Sequence, residues 1–278
     1  MKRWMVAAAC FFLLTAVIAP SAGADGTWFA GFKYWDAQWD SGVLDWFEKD
    51  LATSFLQSRG QFSSQRDPGD GYLAGPLLGY QTANGKWSFS AAPMVFSSFT
   101  QSWSGQSGAM VLDGDVDLER IDVDLAANYT LTERYKLFAG LKYQETDMDF
   151  TLSYDPGGMP LVDTYKVRST SYIPTIGAAG VFPLGSKVAA SAQGGLLYAF
   201  TDLTITNSAG QTDDIWPHPG LGFNLEGNFT YQPVNDLLLQ LGFRYQVFTI
   251  EARGPGRDEI VKSYDITYGP TLTAVYVF

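Results

Sequence analysis

The sequence predicts an all-β fold, a ten-stranded antiparallel transmembrane β-barrel with short turns at one end and longer loops at the other. Three observations predict it. Residues alternate between apolar and polar with period two, short turn signals recur at nearly even intervals, and aromatic residues bunch near strand ends. Alternation sustained over ten or so residues is the mark of a strand whose two faces meet different surroundings.

The alternation is clearest at the end of the chain. Tyr264, Ile266, Tyr268, Pro270, Leu272, Ala274, Tyr276 and Phe278 fall on one face, while Asp265, Thr267, Gly269, Thr271 and Thr273 fall on the other. The same holds for Leu237, Leu239, Leu241, Phe243 and Tyr245 against Gln240, Gly242, Arg244 and Gln246, and for Ile121, Val123 and Leu125 against Arg120, Asp122 and Asp124. In a soluble sandwich the apolar face packs inward, whereas in a membrane barrel it faces lipid and the polar face lines the lumen.

Turn spacing decides between these two. Short turn signals at Ala83-Asn84-Gly85-Lys86, Thr132-Glu133-Arg134, Pro183-Leu184-Gly185-Ser186 and Pro233-Val234-Asn235-Asp236 have centres 49, 51 and 50 residues apart. Longer connections rich in Gly, Ser, Asp and Pro lie between them, at 40–70, 101–116, 153–167, 204–217 and 252–263. The strands then fall near 27–39, 71–82, 87–100, 117–131, 135–150, 168–182, 187–203, 218–232, 237–251 and 264–278. Ten is an even number, and it puts both termini on the short-turn side, as in bacterial outer-membrane barrels.

Aromatic placement agrees. Trp28, Tyr80, Trp87, Tyr129, Tyr135, Phe182, Tyr231, Tyr276 and Phe278 sit beside the short turns, and Tyr34, Tyr72, Phe99, Tyr143, Tyr172, Phe200, Tyr245 and Tyr268 lie one membrane thickness away. Two belts of amphipathic rings mark two lipid–water interfaces, and a sandwich core has no need of them at strand ends. Composition fits as well. The 278 residues are 46% hydrophobic, 15% aromatic and 17% charged, yet mean hydropathy is −0.04, as expected when lipid-facing and lumen-facing residues cancel. No apolar run after the first 20 residues is long enough for a membrane-spanning helix, which needs about 20 residues.

The N-terminus predicts export through the Sec pathway. Lys2 and Arg3 precede an apolar stretch from Met5 to Pro20, followed by Ala22-Gly23-Ala24, the layout of a signal peptide over residues 1–24. Cys10 lies inside that stretch, so the barrel domain, 25–278, has no cysteine. Its 16 basic and 29 acidic residues leave a charge of −13. An exported acidic chain lacks the basic face that nucleic acid requires, and nucleic acid is not expected as a partner.

The final strand, alternating back from Phe278 and Tyr276, resembles the terminal strand of Gram-negative outer-membrane proteins. The resemblance implies recognition by the outer-membrane assembly machinery through Tyr276 and Phe278, and outer-membrane lipid and lipopolysaccharide as surroundings. Within that class, the strand number, the chain length and the strand Tyr135–Glu145 resemble the omptin proteases. That resemblance implies paired acids on one side of the barrel mouth and an Asp-x-His pair on the other. His218, the only histidine, and Asp115 and Asp117 occupy suitable ends of strands, but the residue two before His218 is Trp216. An oriented base would therefore need Asp213 or Asp214 to fold back beside the ring. The plainer expectation is a solvated rim histidine.

Parity places Lys33, Arg120, Asp122, Asp124, Lys142, Glu226, Arg244 and Asp265 in the lumen. Hairpin pairing across the short turns predicts Asp124 opposite Lys142, and Asn224 opposite Arg244 with Glu226 one diagonal away. Such charges either zip a closed interior or line a narrow wet channel, and ten strands lies near the size that side chains fill. In the first long loop, Val43, Leu44, Trp46, Phe47, Leu51, Phe55 and Leu56 recur at helical spacing, predicting an amphipathic helix over about 43–57; of a helix on the lipid surface, a cap on the barrel mouth and a cover for a small apolar ligand, the cap is the simplest expectation.

The acids of the other long connections, Asp113, Asp115, Asp117, Glu119, Asp147, Asp149, Asp155 and Asp163, contain no twelve-residue calcium-loop pattern and read as a solvated surface. No metal or cofactor is expected. The function predicted is that of a structural or narrow porin-like barrel. A hydrolase at the mouth and a loop-mediated adhesin or receptor are the alternatives.

Overall fold

The computed structural model describes residues 26–46, 62–66, 68–107, 110–154, 161–253 and 260–278. Its strands are β1 (Thr27–Asp40), β2 (Phe62–Arg66), β3 (Gly69–Gln81), β4 (Trp87–Met94), β5 (Phe96–Ser107), β6 (Met110–Thr130) and β7 (Tyr135–Tyr154), then β8 (Leu161–Pro183), β9 (Val188–Asn207), β10 (Thr212–Ile215), β11 (Gly220–Val234), β12 (Leu237–Arg253) and β13 (Ile260–Val277). All pairings are antiparallel, and β13 pairs with β1, from Phe29 opposite Val277 to Asp40 opposite Ile266. The sheet therefore closes on itself. β4 and β5 are two parts of one stave, and β2 and β10 are short additions, so the barrel has ten staves. The described residues contain no helix long and apolar enough to cross a membrane, which says nothing about crossing with strands.

The tight turns form where the sequence places them. At Ala83–Lys86, Gly85 takes φ +65° while the Asn84 side chain accepts from Lys86 N–H at 2.9 Å. In the next turn Thr132 Oγ1 accepts from the backbone of Arg134 and Tyr135, at 3.2 and 3.1 Å. At the opposite end the ladders run further than the sequence suggests. β6, β7 and β8 continue through connections expected to be loops, and β10 pairs with β9 in another. Period two in fact continues there, Met110, Leu112 and Val116 against Asp113, Asp115 and Asp117, and Met148, Phe150 and Leu152 against Asp149, Thr151 and Ser153, but it is interleaved with the Gly, Ser and Asp that also mark loops.

Both aromatic belts are present. At the short-turn end Trp28 packs on Tyr80 (5.1 Å between ring centres), Trp87 on Tyr129 (4.9 Å) and Tyr276 on Phe278 (5.1 Å). In the second belt Tyr34 packs on Tyr72 (5.9 Å), Tyr143 on Tyr172 (5.4 Å) and Phe223 on Tyr245 (5.8 Å). Phe99 does not belong to it. Between Met94 and Phe99 the β4–β5 stave uses five steps while β6 uses four, from Asp122 to Leu118, so one extra residue, Val95, is inserted. The bulge reverses the pleat. Met94 points inward, Phe96 outward, and Phe99 is buried with its ring 5.4 Å from Trp39.

A second correction concerns register. The last hairpin pairs Tyr231 with Leu239, so Glu226 is opposite Arg244 and Asn224 opposite Gln246. The turn is tighter than expected, pairing Val234 with Leu237, and the irregularity between Tyr231 and Val234 takes back one position, so the pairing ends two residues from the predicted one, a difference that preserves which face each side chain occupies. Asp124 is opposite Lys142, as hairpin pairing predicts. At the closing seam, Gly269 has φ +152°, and a Cβ there would lie 1.9 Å from the Asp36 carbonyl oxygen. Only glycine lets β1 and β13 approach so closely.

Candidate functional site

The lumen is built along the inward face of β1. Lys33, Trp35, Ala37 and Trp39 follow one another toward the loop end, the last three fully buried, and each large residue meets a charged group from another stave. Lys33 Nζ is 3.3 Å from Glu226. Arg244 lies 4.9 Å above the Trp35 ring, and Arg120 lies 4.9 Å above that of Trp39.

These cations belong to a continuous network at mid-barrel. Asp122 accepts two hydrogen bonds from Arg120, at 2.8 and 3.0 Å, and a third from Lys142 at 2.5 Å. Arg120 also donates to Gln144 and Thr267, at 3.0 and 2.9 Å. Lys142 reaches Asp124 at 3.7 Å, and Asp124 accepts from Arg244 at 2.8 Å. Glu226 accepts from Gln193 as well as Lys33. Buried charges persist when paired and hydrogen-bonded in this way.

Exposure across the network is graded. The Arg120 and Asp122 side chains are fully buried, Lys142 and Arg244 are 5% and 7% exposed, and Asp124 is 25% exposed. Solvent therefore enters from the short-turn end, through a cavity of about 240 Å³ bordered by Lys33, Asp124, Asn128, Gln240, Arg244 and Gln246. Above the network the lumen turns apolar. Leu73, Met94, Phe99, Leu118, Met148, Ile173, Leu203, Phe248 and Ile250 form one buried cluster.

The chain itself closes this cluster at the loop end. Residues 42–46 make a helical turn whose Val43, Leu44 and Trp46 are buried in the cluster. Ser41 Oγ accepts from Leu44 N–H at 3.4 Å and begins the turn. Asp265 Oδ2 accepts from Trp39 Nε1 at 3.0 Å and from Gly42 N–H at 3.4 Å, and Trp46 Nε1 donates to the Ala252 carbonyl at 3.3 Å. The turn thus packs into the cluster from the loop end as a plug, while the rest of the predicted helix, 47–57, lies outside the described residues.

The structure gathers all eight lumen charges inside the barrel. It also brings in Trp35, Trp39, Gln144, Gln193 and Thr267, which sequence reading did not single out, although the parity of Lys33 extends to both tryptophans. The residues of the hydrolase alternative are dispersed along the loop end. Among the described residues, His218 is exposed and is held through its backbone, its N–H donating to the Glu251 carbonyl at 2.6 Å. Asp213 is exposed, and Asp214 accepts from Thr204 at 3.0 Å. Asp117 is exposed opposite Asp149, and Asp115 is described only by its backbone, between Ser102 and Thr151. Among the described residues, no group of three His, Cys, Asp or Glu is placed to hold a metal ion. Residues 1–25, with the predicted signal peptide, lie outside the described residues.

No protein-family model and no curated protein matches the chain. Solved structures do. The outer membrane protease OmpT from Escherichia coli superposes with a TM-score of 0.58 at 12% identity, over 91% of this chain and 97% of that one. The fold is that of a Gram-negative outer-membrane β-barrel. The translocator domain of the autotransporter NalP from Neisseria meningitidis gives 0.43 at 10% identity, over 98% of this chain and 97% of that one. The outer membrane protein OprG from Pseudomonas aeruginosa gives 0.35 at 12% identity, over 91% and 96%. At 12% identity the likeness to OmpT is one of fold.

Proposed function

We propose that the chain, after removal of residues 1–24, is an outer-membrane barrel with a sealed lumen, serving as a structural component of the envelope and not as an open pore. The short turns face the periplasm and the extended hairpins face outward. The observation that carries the reading is the layer of Arg120 and Asp122. Both side chains have zero exposure, between a solvent-reached cavity on one side and an apolar core on the other. A water-filled path through the barrel would expose one or both. The two belts of paired rings support insertion in a bilayer.

Planar-bilayer recording tests the reading. The purified barrel is expected to give no discrete current steps, and regular steps from the wild-type chain would overturn the sealed state. Fractionation should find the protein in the outer membrane, migrating differently on gels before and after heating. A hydrolase would instead show peptide cleavage that is lost in His218→Ala, and that result would replace the structural reading.

A further inference from the structure

The outward wall of the barrel is not smooth. Between β7 and β11 it carries a groove of about 610 Å³, walled by Leu137, Ile176, Leu196 and Leu225, all exposed. Its floor is Ala178 and Gly194, directly opposite each other in register, with Leu225 opposite Gly194 on the far side. The hollow exists because small residues from two staves meet within a coat of large ones. Toward the short turns the floor continues as Ala192 opposite Gly227, where an added Cβ on Gly227 would meet nothing nearer than 3.9 Å. It ends at Val188, the place where β9 contributes no ring to the short-turn belt, between Phe182 of β8 and Tyr231 of β11.

A cation stands at that end. Lys187 is exposed in the turn between β8 and β9, and its Nζ donates to the Pro233 carbonyl at 3.0 Å, which draws it toward β11 and leaves further N–H groups for an anion. Among the described residues no carboxylate lies within ion-pair distance of it, Glu133 and Asp236 of the adjoining turns included. By contrast Lys166, Arg168 and Lys262 at the loop end are each paired with an acid. From Lys187 to Gly194 is seven residues, about 23 Å along a strand and about 16 Å of depth at the usual tilt, which is half of a ~30 Å hydrocarbon core.

A cation at headgroup depth and an apolar groove one leaflet deeper match the two ends of one anionic phospholipid. A second copy fits less well, because a two-fold axis along the bilayer normal would bring the two Lys187 side chains toward each other. We propose that the outward face of β8, β9 and β11 is a binding site for a single anionic phospholipid, its phosphate on Lys187 and the end of its acyl chain over Ala178 and Gly194. The site rests on the preceding reading for its bilayer and for the name of its leaflet, the periplasmic one.

Native mass spectrometry tests it, on the folded barrel equilibrated with equal amounts of phosphatidylglycerol and phosphatidylcholine in neutral detergent. One phosphatidylglycerol per chain is expected, favoured about fivefold over phosphatidylcholine, the effect of one basic residue at a membrane surface. Lys187→Gln should erase that preference. Ala178→Leu and Gly194→Leu fill the groove and should lower retention of both lipids, with heat-dependent gel migration showing that each folds. The new side chain at Gly194 first meets the end of Leu225, at 3.1 Å from its Cβ. If neither groove variant folds, Lys187→Gln, in an exposed turn, carries the test.

Equal retention of the two lipids by the wild-type chain, a preference unchanged in Lys187→Gln, or retention of glycerol 3-phosphate as strong as that of the lipid would each overturn the proposal. A mass of two chains that is lost in the groove variants would make a second copy the occupant. Current steps in a bilayer would overturn the sealed lumen and leave lipid retention unchanged, so the two readings fail separately.

Discussion

Arg120 and Asp122, two residues apart on the inward face of β6, bind each other through paired hydrogen bonds of 2.8 and 3.0 Å, and neither side chain is exposed. Neighbours on one strand seldom form so complete a pair. Here it works because Trp39 covers the guanidinium, and Gln144, Thr267 and Lys142 take up the remaining donors and acceptors.

Asp122→Asn should be strongly destabilising, because it leaves Arg120 and Lys142 short of a buried counter-charge. The expected loss is about 3–5 kcal/mol, read as a fall in the urea midpoint of unfolding. Replacing both members together, Arg120→Met with Asp122→Leu, should cost less than Asp122→Asn alone. A double variant as unstable as the sum of the two single ones would show that the pair does not act as a unit.

Removal of the plug should not open the barrel. Beneath the turn at 42–46, Trp35, Leu73, Ile173 and the Arg120 layer come from the staves themselves and are buried. Deletion of residues 43–56 is therefore expected to leave bilayer current at baseline, with steps appearing only when Arg120 and Asp122 are also truncated to alanine. Current steps from the deletion alone would make the plug the sole barrier.

Gly269→Ala should impair closure. The added methyl meets the Asp36 carbonyl oxygen at the β1–β13 seam, at a backbone angle that other residues avoid. A loss of more than about 1 kcal/mol is expected, seen as a smaller fraction of heat-modifiable barrel after refolding. Gly185→Ala, which meets nothing within 4 Å, is the control.

Beyond the second belt, Arg168 donates to Asp147 at 2.6 and 3.2 Å in an exposed pair. Its hydrogen bond to Asp147 raises the arginine above its already high ordinary value. A raised value means that the stabilisation is complete below the unfolded-state pKa and is lost only as pH climbs through the folded one. It therefore does not vary between pH 5 and 9. Arg168→Ala should cost less than about 1 kcal/mol, and added salt should shrink the difference.

The faces of the staves were legible because lipid and lumen impose opposite demands on successive residues. Arg120, Lys142, Arg244 and Asp265 stand out as polar positions in otherwise apolar alternation. Register was less legible, since Glu226 and Asn224 share a face and either can oppose Arg244 without changing what is inside. The Val95 bulge left no trace because Met94, Val95 and Phe96 are all apolar, and alternation has nothing to count across them. The apolar upper lumen was equally hidden. Trp35, Trp39 and Met148 look like lipid-facing residues unless the parity of a nearby charge is carried along the strand. The charge network could be read as a set of inward residues, but not as a layer with unequal access to solvent, because access depends on ten staves at once.

The single residue inserted at Val95 also separates two ways of editing this stave. Substitutions on either side change one face at a time. Removing Val95 would instead restore a regular ladder, four steps against four, that leaves Phe96 facing outward and Phe99 and Gln101 facing inward. A one-codon deletion there takes away the irregularity and not the alternation, so the stave is one residue longer than its inner and outer coats require.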